Sequence, residues 1–169
     1  MLFYVLATIT IIIGLIAEGA IALFFTWRIL PDFTLILVVA MGFLLGERQG
    51  AAMGLLAGLL EDIMFGHALG FFALTKMLLG LGAALVGKEI YQEKIIGPIL
   101  LVFVGTIVHE IIIHMLVYLY VGIDIPLELI ITSQFIPAAI LNAILTVPFY
   151  ALVHWMFEKR SRFSWKISA

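Results

Sequence analysis

Glycine recurs at every fourth residue through Gly42, Gly46, Gly50, Gly54 and Gly58, and the same step then reaches Asp62, Gly66 and Gly70. Residues four apart stack on one face of a helix, and glycine on that face lets a second backbone come very close. The surrounding sequence is almost wholly apolar. A stripe of this kind belongs to helices packed against one another inside lipid. It carries an acidic residue, Asp62, near its end.

Composition agrees. Of 169 residues 64% are hydrophobic and only 12% charged, with a mean hydropathy of +1.25, against roughly 25% charged in a soluble domain. One span needs about 20 residues, so the length accommodates six spans with short loops and no soluble domain. The expected fold is an all-α membrane bundle of six transmembrane helices over 1–157, followed by a basic tail over 158–169. A net charge of −2 speaks against a nucleic-acid partner. With no cysteine there is no disulfide framework, thiol chemistry or thiolate metal site. The first apolar stretch lacks a basic leader and a small-residue cleavage site, so it reads as a retained helix.

Six apolar segments are expected, at about Leu2–Trp27, Phe33–Leu45, Gly50–Phe65, Ala68–Val86, Gly97–Tyr120 and Leu129–Phe157. The second is short. At 1.5 Å per residue it rises about 20 Å, against a hydrocarbon core of about 30 Å. Spanning requires help from Leu30 to Asp32, snorkelling flanks or a thinned bilayer. Six spans put Lys159, Arg160, Arg162 and Lys166 of the tail on one side with Arg48, Lys88 and Lys94, leaving Arg28 alone on the other. Basic residues concentrate in cytoplasmic loops, so both termini are expected in the cytoplasm.

Several polar side chains lie within these segments. An ionisable group in lipid is costly and normally faces the bundle interior with a partner. Glu18, Lys76, Glu110, His114 and Asn142 all fall in the outer half or near the midplane. They either glue helices together or line one polar cavity. Glu18 and Lys76 lie at similar depth with opposite charge and are a plausible pair. The run His109-Glu110-Ile111-Ile112-Ile113-His114 is not a zinc-protease helix. That motif needs histidines four apart, and five residues separate these by about 140° around the helix. Glu110 and His114 are themselves four apart and within reach of a hydrogen bond.

Glu61 and Asp62 stand at the end of the stripe. Adjacent helical residues diverge by about 100°, which argues against a paired-carboxylate hydrolase. Asp62 is either a solvated helix end or an interhelical acceptor that fixes register. No complete catalytic set and no nucleotide loop is present, so neither an enzyme, a cofactor nor a metal site is expected.

Two stretches carry a family resemblance. Pro31-Asp32 precedes the second segment. Gly50-x-x-x-Gly54-Leu55-Leu56-Ala57-Gly58-Leu59-Leu60-Glu61-Asp62 then runs into Ile63-Met64-Phe65-Gly66-His67-Ala68-Leu69-Gly70. This pattern resembles the MreD family of bacterial rod-shape-determining membrane proteins, and length and expected topology agree. The resemblance implies a non-catalytic scaffold in the bacterial inner (cytoplasmic) membrane, within the complex that elongates the lateral cell wall by peptidoglycan synthesis. It implies MreC as partner, with MreB, RodA and a class B penicillin-binding protein further off. Pro31, Asp32, Gly50, Gly54, Gly58, Asp62, Gly66 and Gly70 become candidates for helix packing or partner binding. The alternative is the substrate-binding S component of an energy-coupling-factor vitamin transporter, which is similar in size and plan. There Glu18, Lys76, Glu110, His114 and Asn142 would hold a small ligand.

Overall fold

The computed structural model describes residues 2–24, 29–65, 69–89, 95–122 and 130–167. Helix α1 is Leu2–Phe24, α2 Phe33–Leu45, α3 Glu47–Phe65, α4 Phe71–Glu89 and α5 Ile96–Val121. A π-helical turn, Ile131–Phe135, leads into α6, Ile136–Ile167. The described residues form an all-α membrane protein with no strand. Helices α1, α4 and α5, and the π turn with α6, are long and apolar enough to cross a membrane.

The short α2 is the axis of the bundle. Every residue from Thr34 to Leu44 is buried, and α2 touches all five other helices. One side of it packs against Ala7, Ile11 and Leu15 of α1 and Tyr150, Val153 and Met156 of α6. Another meets Ala83 of α4 and Val102 of α5. Its 13 residues need not match the hydrocarbon thickness, because protein rather than lipid surrounds it. The helix starts inside the bundle. Asp32 caps it, its side chain accepting from the backbone N–H of Leu35 at 2.7 Å.

Lipid is as apolar as leucine, so burial alone does not bring membrane helices together; close packing and hydrogen bonds do. The glycine stripe supplies the packing. Helices α3 and α4 make the most extensive contact in the bundle. A Cβ added at Gly54 would fall on the carbonyl oxygen of Lys76, and one at Gly58 on that of Phe72. At Gly42 and at Gly50 it would strike the carbonyl of Gly80, so α2, α3 and α4 meet backbone to backbone at one point. Gly46, between α2 and α3, has φ of +92°, a left-handed conformation that glycine adopts without steric cost. Gly70 precedes α4 with φ of +105°. Gly66 lies outside the described residues.

Element boundaries differ from expectation at several ends, and α4 is Phe71–Glu89 rather than Ala68–Val86. Helix α3 begins at Glu47 rather than Gly50, and Glu47 pairs with Lys88 of α4 at the exposed end of the seam. The last helix runs on through Ile167, because the tail has no proline or glycine to stop it. The π turn stands just before Pro137, whose nitrogen has no hydrogen to donate.

Candidate functional site

The start of α2 gathers polar side chains from five helices. Lys76 of α4 is fully buried. Its ammonium donates to Asp32 Oδ1 at 2.8 Å and also to Glu61 Oε2 and the Thr34 hydroxyl. The Thr34 hydroxyl lies 2.8 Å from Asp32 Oδ1 and 3.2 Å from Glu61 Oε2. Glu18 of α1 accepts from the backbone N–H of Thr34 at 2.8 Å. Asn142 of α6 accepts from the N–H of Asp32 at 3.0 Å and donates to Thr106 of α5 at 3.2 Å. His109 of α5 brings its Nε2 to 3.9 Å from Asp32 Oδ2 and stacks on Phe72.

Local geometry explains why these residues meet. The first N–H groups of a helix have no partner within it. Those of α2 lie inside the bundle, so acceptors must come from side chains: Asp32 serves Leu35, and Glu18 serves Thr34. Both carboxylates also meet the positive end of the α2 dipole. Lys76 then supplies the full positive charge that buried carboxylates require. Glu61 and Asp62, about 100° apart around α3, serve different neighbours. Glu61 turns to Lys76. Asp62 accepts from the N–H groups of Gly70, Phe72 and Ala73 at 2.9 to 3.1 Å, which closes the start of α4. Of the two alternatives for Asp62, the structure has the interhelical acceptor, and the side chain is buried.

The candidates therefore divide. Glu18, Lys76 and Asn142 join Asp32 in one network. The ion pair expected between Glu18 and Lys76 is replaced by pairs of Lys76 with Asp32 and Glu61, because the entry into α2 puts a carboxylate nearer. Glu110 and His114 are half-buried on α5 and have no hydrogen bond to each other or to the network among the described residues. The His114 ring instead meets Phe135 of the π turn edge-on. Thr34 and Thr106 belong to the network and His109 stands beside it, although the sequence does not single them out for it and marks Glu61 only as half of a carboxylate pair. The available signal was Asp32 followed by Thr34 at a helix start, a capping pattern whose acceptors attract further partners.

The family model described as rod shape-determining protein MreD matches residues 1–160. The chain belongs to the MreD family. No curated protein and no solved structure matches it. As a family member it is a rod shape-determining membrane protein. The Pro31-Asp32 pair and the glycine-to-Asp62 run that resemble the family are the two stretches that build its interior. Asp32 opens the central helix, and Gly50, Gly54, Gly58 and Asp62 form the seam with α4.

Proposed function

We propose that this MreD-family chain is a non-catalytic scaffold of the cell-elongation complex. It sits in the bacterial cytoplasmic membrane with both termini in the cytoplasm and binds MreC. MreB, RodA and a class B penicillin-binding protein act further along the same assembly, which maintains rod shape through lateral peptidoglycan synthesis. The observation that carries this reading is how the buried polar groups are used. Lys76, Asp32, Glu61, Thr34 and Asn142 bond to one another across α2, α3, α4 and α6. They fix the positions of the helices, and the Thr34 hydroxyl and the Lys76 ammonium are both engaged in doing so. A rigid bundle with an apolar exterior offers partners shape.

The vitamin-carrier alternative has less support, since Glu18, Lys76 and Asn142 are engaged with the protein's own groups. The deciding experiment is affinity purification of the full chain from membranes of cells that also make MreC. MreC is expected to co-purify in a fixed ratio. Loss of MreC under mild detergent, together with a saturable thermal shift by one vitamin, would replace the scaffold reading with the carrier one.

A further inference from the structure

Two ionisable side chains of α5 take no part in the buried knot. Glu110 and His114 are half-buried, and neither has a hydrogen bond or ion pair among the described residues. They are four residues apart, yet the His114 ring stands edge-on to Phe135, with centroids 6.3 Å apart. Both lie within the span Ile96–Tyr120, where an ionisable group ordinarily has a partner.

The same face of α5 borders a groove. Ile99, Phe103, Glu110 and His114 fall within about 60° of one another around the helix. Ile99 and Phe103, with Ile140, Ala143, Ile144 and Val147 of α6, line an apolar groove of about 360 Å³. Ile140, Ile144 and Val147 are exposed, and their spacing of four and three residues makes them one ridge along α6. Lipid tails can fill the groove but cannot answer a carboxyl and an imidazole. The occupant must match an apolar ridge and supply both a donor and an acceptor.

We propose that the occupant is a second copy of this chain, docked through the α5–α6 face of each. The face is complementary to itself. It presents an acceptor, Glu110, beside a donor, His114, as a two-fold contact requires. Copies of one chain share one orientation in the membrane, so a two-fold axis along the membrane normal sets the two α5 helices parallel. Glu110 and the partner subunit's His114 then differ in height by about 6 Å, four residues at 1.5 Å each. Side chains across parallel helices ordinarily reach that far. The dimer makes this contact twice, and the α6 ridge of each copy enters the groove of the other. A second copy brings both polar groups to the required depth by symmetry, whereas an unrelated helix must supply them independently.

The chain has no cysteine, so a single introduced thiol reports proximity between copies. Ile144→Cys in the full chain, in membranes of cells that make it, should give a dimer on treatment with a short thiol-specific cross-linker. Ile13→Cys, similarly exposed on α1, which does not touch α5, should not. Glu110→Leu and His114→Leu, each added to Ile144→Cys, remove both symmetric hydrogen bonds. Each should weaken dimerisation about sevenfold, the effect of two such bonds at their usual strength in membranes. Absence of dimer from Ile144→Cys would overturn the proposal, as would a cross-link to co-produced MreC in its place. Dimer formation unchanged in both leucine variants would overturn it too, because the polar contact would then carry nothing. If a leucine variant fails to fold, the contrast between Ile144→Cys and Ile13→Cys decides, together with the mass of the unmodified chain by analytical ultracentrifugation in detergent.

Discussion

Two regions hold the short central helix, and they do so by opposite means. At one point α2 meets α3 and α4 through Gly42, Gly50 and Gly80, with carbonyl oxygens where side chains would otherwise stand. At its start, α2 is fastened by Asp32, Thr34, Glu18, Glu61, Lys76 and Asn142. Where the three glycines meet, the contact involves no charged group, whereas the knot depends on charge. A seam of backbones cannot yield to an added atom, because the obstructing group is the main chain of another helix. A knot of charges tolerates small changes of shape but not the loss of its only ammonium.

The largest expected effect is therefore electrostatic. Lys76→Met leaves the buried Glu61 and the partly buried Asp32 without their cation, and breaking a buried pair costs about 3–5 kcal/mol. The variant should lose its monodisperse peak in size-exclusion chromatography or melt far below the parent. Adding Glu61→Gln should restore part of the loss, because residues of one network are not additive. Parent-like melting of Lys76→Met would remove the charge argument altogether.

The seam comes next. Gly54→Leu and Gly58→Leu drive side chains into the Lys76 and Phe72 carbonyls. Overpacking costs about 1–3 kcal/mol even where side chains can shift, and here the obstacle is backbone. Insertion into the membrane should persist while thermal stability and rod-shape complementation in cells fall. Unaltered melting of both variants would show that α3 and α4 do not meet at these glycines.

Asp62→Ala should act more mildly. It removes the acceptor of three N–H groups at the start of α4, and loss of a cap costs about 0.5–2 kcal/mol. Hydrogen exchange should quicken at Phe72 and Ala73 while the centre of α4 stays protected. Equal protection in both proteins would mean that other groups close this helix.

The smallest effect sharpens the comparison from the other side. A Cβ at Gly82 meets nothing within 4 Å, although Gly82 lies on the same helix as Gly80. Gly82→Ala should change stability by no more than about 0.5 kcal/mol, whereas Gly80→Ala should destabilise clearly. Matching melting temperatures for the two would mean that glycine identity, not close approach, governs α4.

Much of the architecture was legible because lipid imposes simple rules. Apolar run lengths located the helices, and a four-residue glycine step marked a close-packed face. The Pro31-Asp32 pair marked the entry to α2. The placement of α2 was not legible. Helices α1 and α2 are both apolar on every side, yet α1 leaves Val5, Ile9, Ile13 and Ile16 exposed while α2 is enclosed. Lipid and protein core accept the same side chains, so sequence cannot tell which helix faces which.

The polar site divides the same way. Buried polar groups demand partners, and that demand was readable at Glu18, Lys76 and Asn142 from their positions alone, whereas Glu110 and His114, marked by the same rule, lie outside the network. Which partners answer depends on distances between helices far apart in sequence. Asp32 lies 44 residues from Lys76 and 110 from Asn142, and only the packing of α4 and α6 around the start of α2 brings them within hydrogen-bond reach. Sequence determined that this is a membrane bundle with a glycine seam and charges to satisfy. Tertiary structure decided that Asp32, rather than Glu18, takes the lysine, because the inward start of α2 sets its capping carboxylate closer to the ammonium.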